Sequence, residues 1–185
     1  MKKTGFLIFV ILISGTFTKS QSVDDGRVNK KNEISAAANP VYNATTDKFG
    51  MFIHGDYGLT SKSDIGLQVG FGPNQTYLGI DFERLLIKKP AISAYAGAHY
   101  HQYAGLDLGS KITLPLRPIF LTTGLDMDMV LSEDVNGNPE ILIPVWLPVQ
   151  IEFYLIKHVS MAFEAQVALN TKTHTYVGTG ILVYF

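Results

Sequence analysis

The sequence contains no cysteine. Disulfides, thiolate catalysis, cysteine-ligated zinc and a lipidated N-terminal cysteine are therefore excluded. Charged residues are also scarce, at 17% against roughly 25% in ordinary soluble chains, and a net charge of -1 offers no basic surface for nucleic acid. No apolar run reaches the roughly 20 residues that a membrane-spanning helix needs. A membrane protein of this sequence would have to cross the bilayer as strands.

The first part of the chain has the pattern of an export signal. Lys2 and Lys3 precede an apolar run over residues 6–13, and small residues follow near Ser20. This pattern predicts a secretory signal peptide over residues 1–21, with an uncleaved N-terminal anchor as the alternative. Residues 22–48 are polar and mixed without a visible period, which predicts a flexible N-terminal tail.

From residue 49 onward, apolar residues recur at every second position. The clearest case is residues 159–170, where every odd position is apolar and every even position is polar or small. A strand places alternate side chains on opposite faces, so one face of this segment is apolar. Nine such segments are separated by short turn sequences, at 49–57, 65–71, 76–83, 92–102, 106–116, 119–131, 145–155, 159–169 and 174–185. The pattern predicts an all-β domain over residues 49–185, an antiparallel up-and-down barrel.

The number of strands depends on how the first segment is treated. Bacterial single-chain barrels have an even number of strands. Counting back from Phe185 gives eight strands over residues 65–185, which is the predicted number. Ten strands are the alternative, if residues 49–57 form an extra hairpin with residues 41–46. The eight-strand phasing makes residues 132–144 an extracellular loop, and it makes the connection at 84–91 longer than a periplasmic turn should be.

The composition of the polar face indicates which side of the barrel is apolar. A face in bulk water should be rich in Lys, Glu and Thr, whereas this one is rich in Gly, Tyr, His, Asp and Gln. Glycine is unfavourable on an exposed strand but fits a narrow interior. The pattern therefore favours a transmembrane barrel with its apolar face toward lipid. The alternative is a soluble exported barrel of the lipocalin kind, with its apolar face around a ligand.

The last ten residues carry a more specific motif. Counting back in twos from the terminal aromatic gives one face of the final strand: Val177, Thr179, Ile181, Val183 and Phe185. This motif resembles the terminal-strand signal of small bacterial outer-membrane barrels of the OmpA and OmpX type. The resemblance implies location in the outer membrane, contact with its lipid, and insertion by the barrel-assembly machinery with periplasmic chaperones.

The inward face is predicted to carry an interior salt-bridge and hydrogen-bond network, because a small lumen tolerates charges only when they are paired. His54-x-Asp56 and His99-x-His101 could chelate a metal, but two pairs on unrelated strands favour the network, so neither metal nor cofactor is expected. The predicted lumen residues are His54, Asp56, Asp81, Glu83, His99, His101, Asp107, Lys111, Asp126, Asp128, Glu152 and Glu164.

One set of residues suggests catalysis. His158, Ser160 and Glu164 resemble the His-x-Ser and Glu set of an outer-membrane lipid A deacylase, which would imply a Ser nucleophile. Met161 stands where that enzyme has Asn, and His158 falls at a predicted periplasmic turn. The sequence therefore predicts a non-enzymatic barrel with a structural, adhesive or minor pore role; the soluble ligand-binding barrel and the lipid-modifying enzyme remain the alternatives.

Overall fold

The computed structural model describes residues 27–72, 76–116, 118–134 and 136–185, so the predicted signal peptide lies outside the described residues. Within these ranges, no helix has the length and apolar character to cross a membrane. The described chain forms eleven strands: β1 (Ile34–Asn43), β2 (Lys48–Thr60), β3 (Ser63–Phe71), β4 (Thr76–Lys88), β5 (Ala91–His101), β6 (Tyr103–Leu116), β7 (Ile119–Glu133), β8 (Pro139–Leu142), β9 (Val145–Ile156), β10 (Val159–Ala168) and β11 (Tyr176–Tyr184).

Ten of these strands close into an antiparallel barrel. The order runs β6-β5-β4-β3-β2-β1-β11-β10-β9-β7, and pairing of β6 with β7 closes the ring. The short strand β8 pairs only with β7, outside the ring. The prediction of a closed antiparallel barrel is confirmed. The prediction of eight strands is wrong, and the ten-strand alternative fits.

The strand outside the nine predicted segments is β1, whereas the ten-strand alternative predicts the extra hairpin strand at residues 41–46. Residues 34–43, placed in the expected flexible tail, lie between β2 and β11 and pair with both. The alternation of apolar and polar residues is weak in β1, because apolar residues lie on both of its faces: Ala36 and Ala38 face outward, while Ala37 and Val41 face inward. The ladder with β11 is interrupted at Pro40, as expected for a residue without an N–H donor.

The two ends of the barrel differ in their connections. At one end, here called the short-turn end, two-residue connections at 61–62, 89–90 and 157–158 join the strands. The expected long connection at 84–91 shortens to 89–90 because β4 continues to Lys88. At the other end, the loop end, most connections have four or more residues, as at 44–47 and 169–175. Antiparallel strands that alternate between tight turns and longer loops produce such an asymmetric barrel.

The barrel has its apolar side chains on the outside. Of the described residues, 34 large hydrophobic side chains are exposed and nine hydrophobic residues are buried. In β10, Phe163 and Val167 are 50% and 39% exposed, whereas Gln166 between them in the alternation is 1% exposed. The interior is therefore mainly polar, which is the reverse of a soluble globular domain.

Candidate functional site in the barrel lumen

The twelve predicted lumen residues all lie on the inward-facing positions of their strands. Eight of them are buried: His54, Glu83, His99, Asp107, Lys111, Asp126, Asp128 and Glu152. The other four are half-buried: Asp56, Asp81, His101 and Glu164. The alternation with exposed apolar neighbours sets this orientation, because side chains two apart on a strand share a face.

The buried interior has an excess of carboxylates. Among the described residues, six buried side chains are carboxylic acids, and Lys111 is the single buried lysine or arginine. Asp64 was missed from the sequence because its strand begins two residues earlier than the pattern indicated. The buried acids are Asp64, Glu83, Asp107, Asp126, Asp128 and Glu152. Buried charges of one sign need protons or cations to balance them.

One connected network surrounds the buried lysine. The Lys111 Nζ donates to Glu83 Oε2 at 2.9 Å and lies 4.7 Å from the ring centroid of Tyr95. The Tyr95 hydroxyl in turn donates to Asp126 Oδ1 at 2.6 Å. These contacts connect the neighbouring strands β4, β5, β6 and β7 on the lumen side, so the network braces one wall of the barrel.

Strand register places several carboxylates in one line. Asp56 pairs with Gly66, Gly66 with Asp81, Asp81 with Gly97, Gly97 with Asp107, and Asp107 with Asp128. We call this line, which crosses β2 to β7, the acidic row. The intervening glycines have no side chain, which leaves room for the neighbouring carboxylates. A Cβ on Gly66, for example, would lie 2.8 Å from both Asp81 oxygens.

Two histidines lie beside the acidic row, each on the next inward position toward the loop end. His54 Nε2 is 2.8 Å from Asp56 Oδ1 and 4.0 Å from Asp81 Oδ2. His99 Nδ1 is 2.6 Å from Asp107 Oδ1, and its ring stacks on Tyr77 with centroids 5.4 Å apart. Two groups of metal-ligating atoms result, with all the atoms in each group within 4.8 Å of one another: His54, Asp56 and Asp81, and His99, Asp107 and Asp128.

A short N-terminal segment, residues 27–33, lies at the short-turn end of the barrel, with Asn29 buried and residues 30–32 exposed. Arg27 forms an ion pair with Glu152 at 2.6 Å, and its guanidinium lies 3.9 Å from the Phe120 ring centroid. The backbone N–H of Asn29 donates to Asp64 Oδ2 at 2.8 Å. The sequence offered no signal for this position, because the segment has neither strand period nor motif. It narrows the mouth of the barrel at that end.

The C-terminal residues and the suggested catalytic set lie in different environments. Val177, Ile181 and Phe185 are exposed on the outer wall, with Thr179 and Val183 partly exposed beside them. Ser160 is fully buried, and its hydroxyl has no hydrogen-bond partner among the described residues. His158 is exposed in the turn between β9 and β10. The structure therefore does not bring His158 and Ser160 together as a base and a nucleophile.

Comparison with solved structures gives matches to small transmembrane β-barrels. The de novo designed transmembrane β-barrels match at 9% identity over 85% of this chain and 99% of theirs, with a TM-score of 0.44. The N-terminal β-barrel domain of Pseudomonas aeruginosa OprF matches at 10% identity over 85% of this chain and 100% of its own, with a TM-score of 0.41. The outer membrane protein OprG of Pseudomonas aeruginosa matches at 9% identity over 88% and 99%, with a TM-score of 0.35.

No protein-family model and no curated protein matches the sequence. Fold alone does not determine activity.

Proposed function

We propose that the protein is a non-enzymatic β-barrel of the bacterial outer membrane, with a structural role and a minor, cation-preferring pore. The observation that supports this proposal is the inverted distribution of side chains. The exposed outer wall includes Leu67, Leu78 and Ile80 at 58%, 56% and 46% exposure, while carboxylates are buried inside. Leaving so much apolar surface in water would be strongly unfavourable, whereas hydrocarbon accommodates it.

The aromatic residues support a bilayer orientation. Phe49, Phe71 and Tyr100 are exposed near the loop end, where Tyr42 also packs against Phe49 with ring centroids 4.9 Å apart. Tyr57 is exposed at the other end. Aromatic side chains favour the two interfaces of a membrane. The short-turn end is then the periplasmic end, because transmembrane barrels have short periplasmic turns and longer external loops.

The lumen supports a narrow pathway for cations. Buried carboxylates exceed buried cations, so the potential inside attracts positive ions and repels negative ones. Tyr95, Trp146 and Tyr176 point inward and are buried, and Arg27 blocks part of the periplasmic mouth. Such an interior admits small hydrated cations at most, which favours a structural protein with minor conductance over a general porin.

Fractionation and gel mobility test the membrane assignment. We expect the protein in the outer-membrane fraction, and we expect the unboiled form to migrate faster than the boiled form on a detergent gel. A protein that is released without detergent and shows no mobility shift would instead support the soluble ligand-binding barrel. Deletion of Phe185 should reduce assembly in the membrane if the terminal strand is the insertion signal, while replacement of the loop residue Asn136 by Ser should not.

Planar bilayers test the pore. In a potassium chloride gradient, the reversal potential should have the sign for potassium selectivity. Replacing Arg27 by Ala should increase conductance, because the ion pair with Glu152 then no longer narrows the mouth. A reversal potential of the opposite sign would contradict the cation preference, and the absence of any conductance in both proteins would leave only the structural role.

A further inference from the structure

We propose that His54, Asp56 and Asp81 form a binding site for one divalent transition-metal ion in the lumen. His54 and Asp56 are two residues apart on β2 and share its inner face, and Asp81 comes from β4. The ligand atoms of the three side chains all lie within 4.8 Å of one another. The site goes beyond the proposed function and departs from the expectation that no metal binds.

The spacing of the donors fits a bound ion. Metal–donor bonds of about 2.0–2.2 Å in a tetrahedral site place the donors roughly 3.4 Å apart. His54 Nε2 lies 2.8 Å from Asp56 Oδ1 and 4.0 Å from Asp81 Oδ2, which brackets that separation. Small side-chain adjustments would bring all three donors onto one ion, with water as a fourth ligand.

The backbone between the two strands is built to let these donors meet. Gly66 on β3 lies between Asp56 and Asp81 in the acidic row. A Cβ at Gly66 would lie 2.7 Å from His54 Nε2 and 2.8 Å from both carboxylate oxygens of Asp81. Any other residue at this position would therefore push the donors apart. Glycine in a strand commonly marks such a close approach.

A supporting hydrogen bond orients one ligand. The Ser35 hydroxyl donates to Asp56 Oδ2 at 2.9 Å, so Oδ1 is the oxygen that faces His54. Hydrogen bonds of this kind fix the rotamer of a ligating carboxylate and strengthen metal binding. The site thus consists of three ligands and the positioning residue Ser35. Together with Gly66, these residues come from the four neighbouring strands β1 to β4.

Access separates this group from the second one. The Asp56 and Asp81 side chains are 15% and 24% exposed, so an ion in the lumen can reach them. In the second group, the His99 and Asp107 side chains are each 3% exposed and bound to each other at 2.6 Å. Binding there would require breaking a short, dry hydrogen bond. The first group is therefore the better site.

The donor chemistry defines the class of metal. One imidazole and two carboxylates suit zinc, cobalt, nickel and manganese, whereas calcium prefers six to eight oxygen ligands and copper(I) prefers sulfur. Two carboxylates with a neutral imidazole carry two negative charges, which a divalent ion balances. The remaining carboxylates of the acidic row raise the local concentration of cations near the site.

Cobalt titration of the full chain in detergent micelles tests the site. We expect one Co²⁺ per chain, visible absorption bands of nitrogen- and oxygen-ligated cobalt, and displacement by Zn²⁺. Loss of a supporting hydrogen bond typically weakens metal binding by roughly 10- to 100-fold, and we expect Ser35→Ala to weaken Co²⁺ binding within that range. Asp81→Asn and Gly66→Ala should weaken Co²⁺ binding by more than that. Gly66→Ala is the sharper variant because it retains every donor.

Controls separate a specific site from general attraction to an acidic lumen. Glu164→Gln removes a lumen carboxylate that is bonded to Gln166 on β10, and it should leave Co²⁺ affinity unchanged. Each variant is first checked for the folded, fast-migrating gel form, so that a loss of binding reports the site. A variant that does not fold is replaced by Ser35→Ala, which leaves all three ligands in place.

Several results would overturn the proposal. The first is that the folded protein binds no stoichiometric Co²⁺, and the second is that Asp81→Asn binds Co²⁺ with wild-type affinity. The third is that Glu164→Gln weakens Co²⁺ binding as much as Asp81→Asn does. The fourth is that Asp128→Asn loses Co²⁺ binding while Asp81→Asn retains it. A folded barrel in the outer membrane that binds no cobalt would overturn only the metal site. A soluble protein would overturn the proposed function, whatever its metal binding.

Discussion

The buried pair of Lys111 and Glu83 provides the most direct test of how dry the lumen is. Lys111→Met removes the ammonium but keeps most of the side-chain volume. Their side chains are 6% and 3% exposed, so the value for a buried pair applies. Removing one partner of such a pair costs about 3–5 kcal/mol, because the other charge stays buried without compensation. An exposed pair would be worth only about 0–1 kcal/mol.

Two further contacts affect the size of this loss. Lys111 also lies over the ring of Tyr95 at 4.7 Å, and a desolvated contact of this kind contributes about 2 kcal/mol. The cost of removing the whole lysine already includes part of this cation–π energy. We therefore expect Lys111→Met to lower the free energy of unfolding by an amount near the upper end of the 3–5 kcal/mol range, about 5 kcal/mol. Replacing both partners, as Lys111→Met with Glu83→Gln, should recover most of the stability, since neither charge of the pair is then left without its partner.

The single tryptophan makes the measurement practical. Trp146 is fully buried in the lumen, and its Nε1 donates to the His174 carbonyl at 2.9 Å. Equilibrium urea unfolding in lipid vesicles, followed by its fluorescence, gives the free energy of unfolding for wild type and both variants. If Lys111→Met lost less than about 1 kcal/mol of unfolding free energy, water would screen the pair, and the conclusion that Lys111 and Glu83 lie in a desolvated part of the lumen would be wrong.

Three other predictions follow from particular contacts. Phe163→Arg, in the middle of β10 at 50% exposure, should cost about 2–4 kcal/mol in a bilayer, while Leu169→Arg near the loop end should cost about 0–1 kcal/mol; equal unfolding free energies in urea would contradict the lipid-facing assignment. A Cβ at Gly58 would overlap the Lys30 carbonyl, whereas one at Gly55 meets only the Ser35 backbone oxygen at 3.7 Å. We therefore expect Gly58→Ala to expel residues 27–33 and to speed trypsin cleavage after Lys30. The control Gly55→Ala should leave the cleavage rate unchanged. Hydrogen bonds from Asn138 and Asn136 hold the pKa of Asp134 below its usual value. The loop should therefore be fully ordered above the ordinary pKa of an aspartate, and this order should be lost as the pH falls through the lowered pKa. Amide NMR signals of Asn136 and Asn138 would report the change, and Asp134→Ala should abolish the loop order at every pH.

The local features of this protein were predictable from its residues alone. Alternation with a period of two requires only neighbouring residues along one strand, so it identified nine of the ten barrel strands and assigned apolar residues to one face. The same alternation assigned His54, Asp81 and Lys111 to the opposite face from their apolar neighbours. The composition of that face, rich in glycine and poor in lysine, indicated an interior instead of a surface in water.

Closure of the barrel and the register of its strands could not be predicted in this way. Residues 34–43 lack a clear alternation because alanine occupies both faces, and their strand is recognised by its partners β2 and β11. The acidic row likewise depends on five successive pairings, from Asp56 with Gly66 to Asp107 with Asp128. A shift of one residue in any pairing would reverse the faces. Hydrogen bonds between strands and the closing of the ring set that register, and neither can be derived from the period of a single strand.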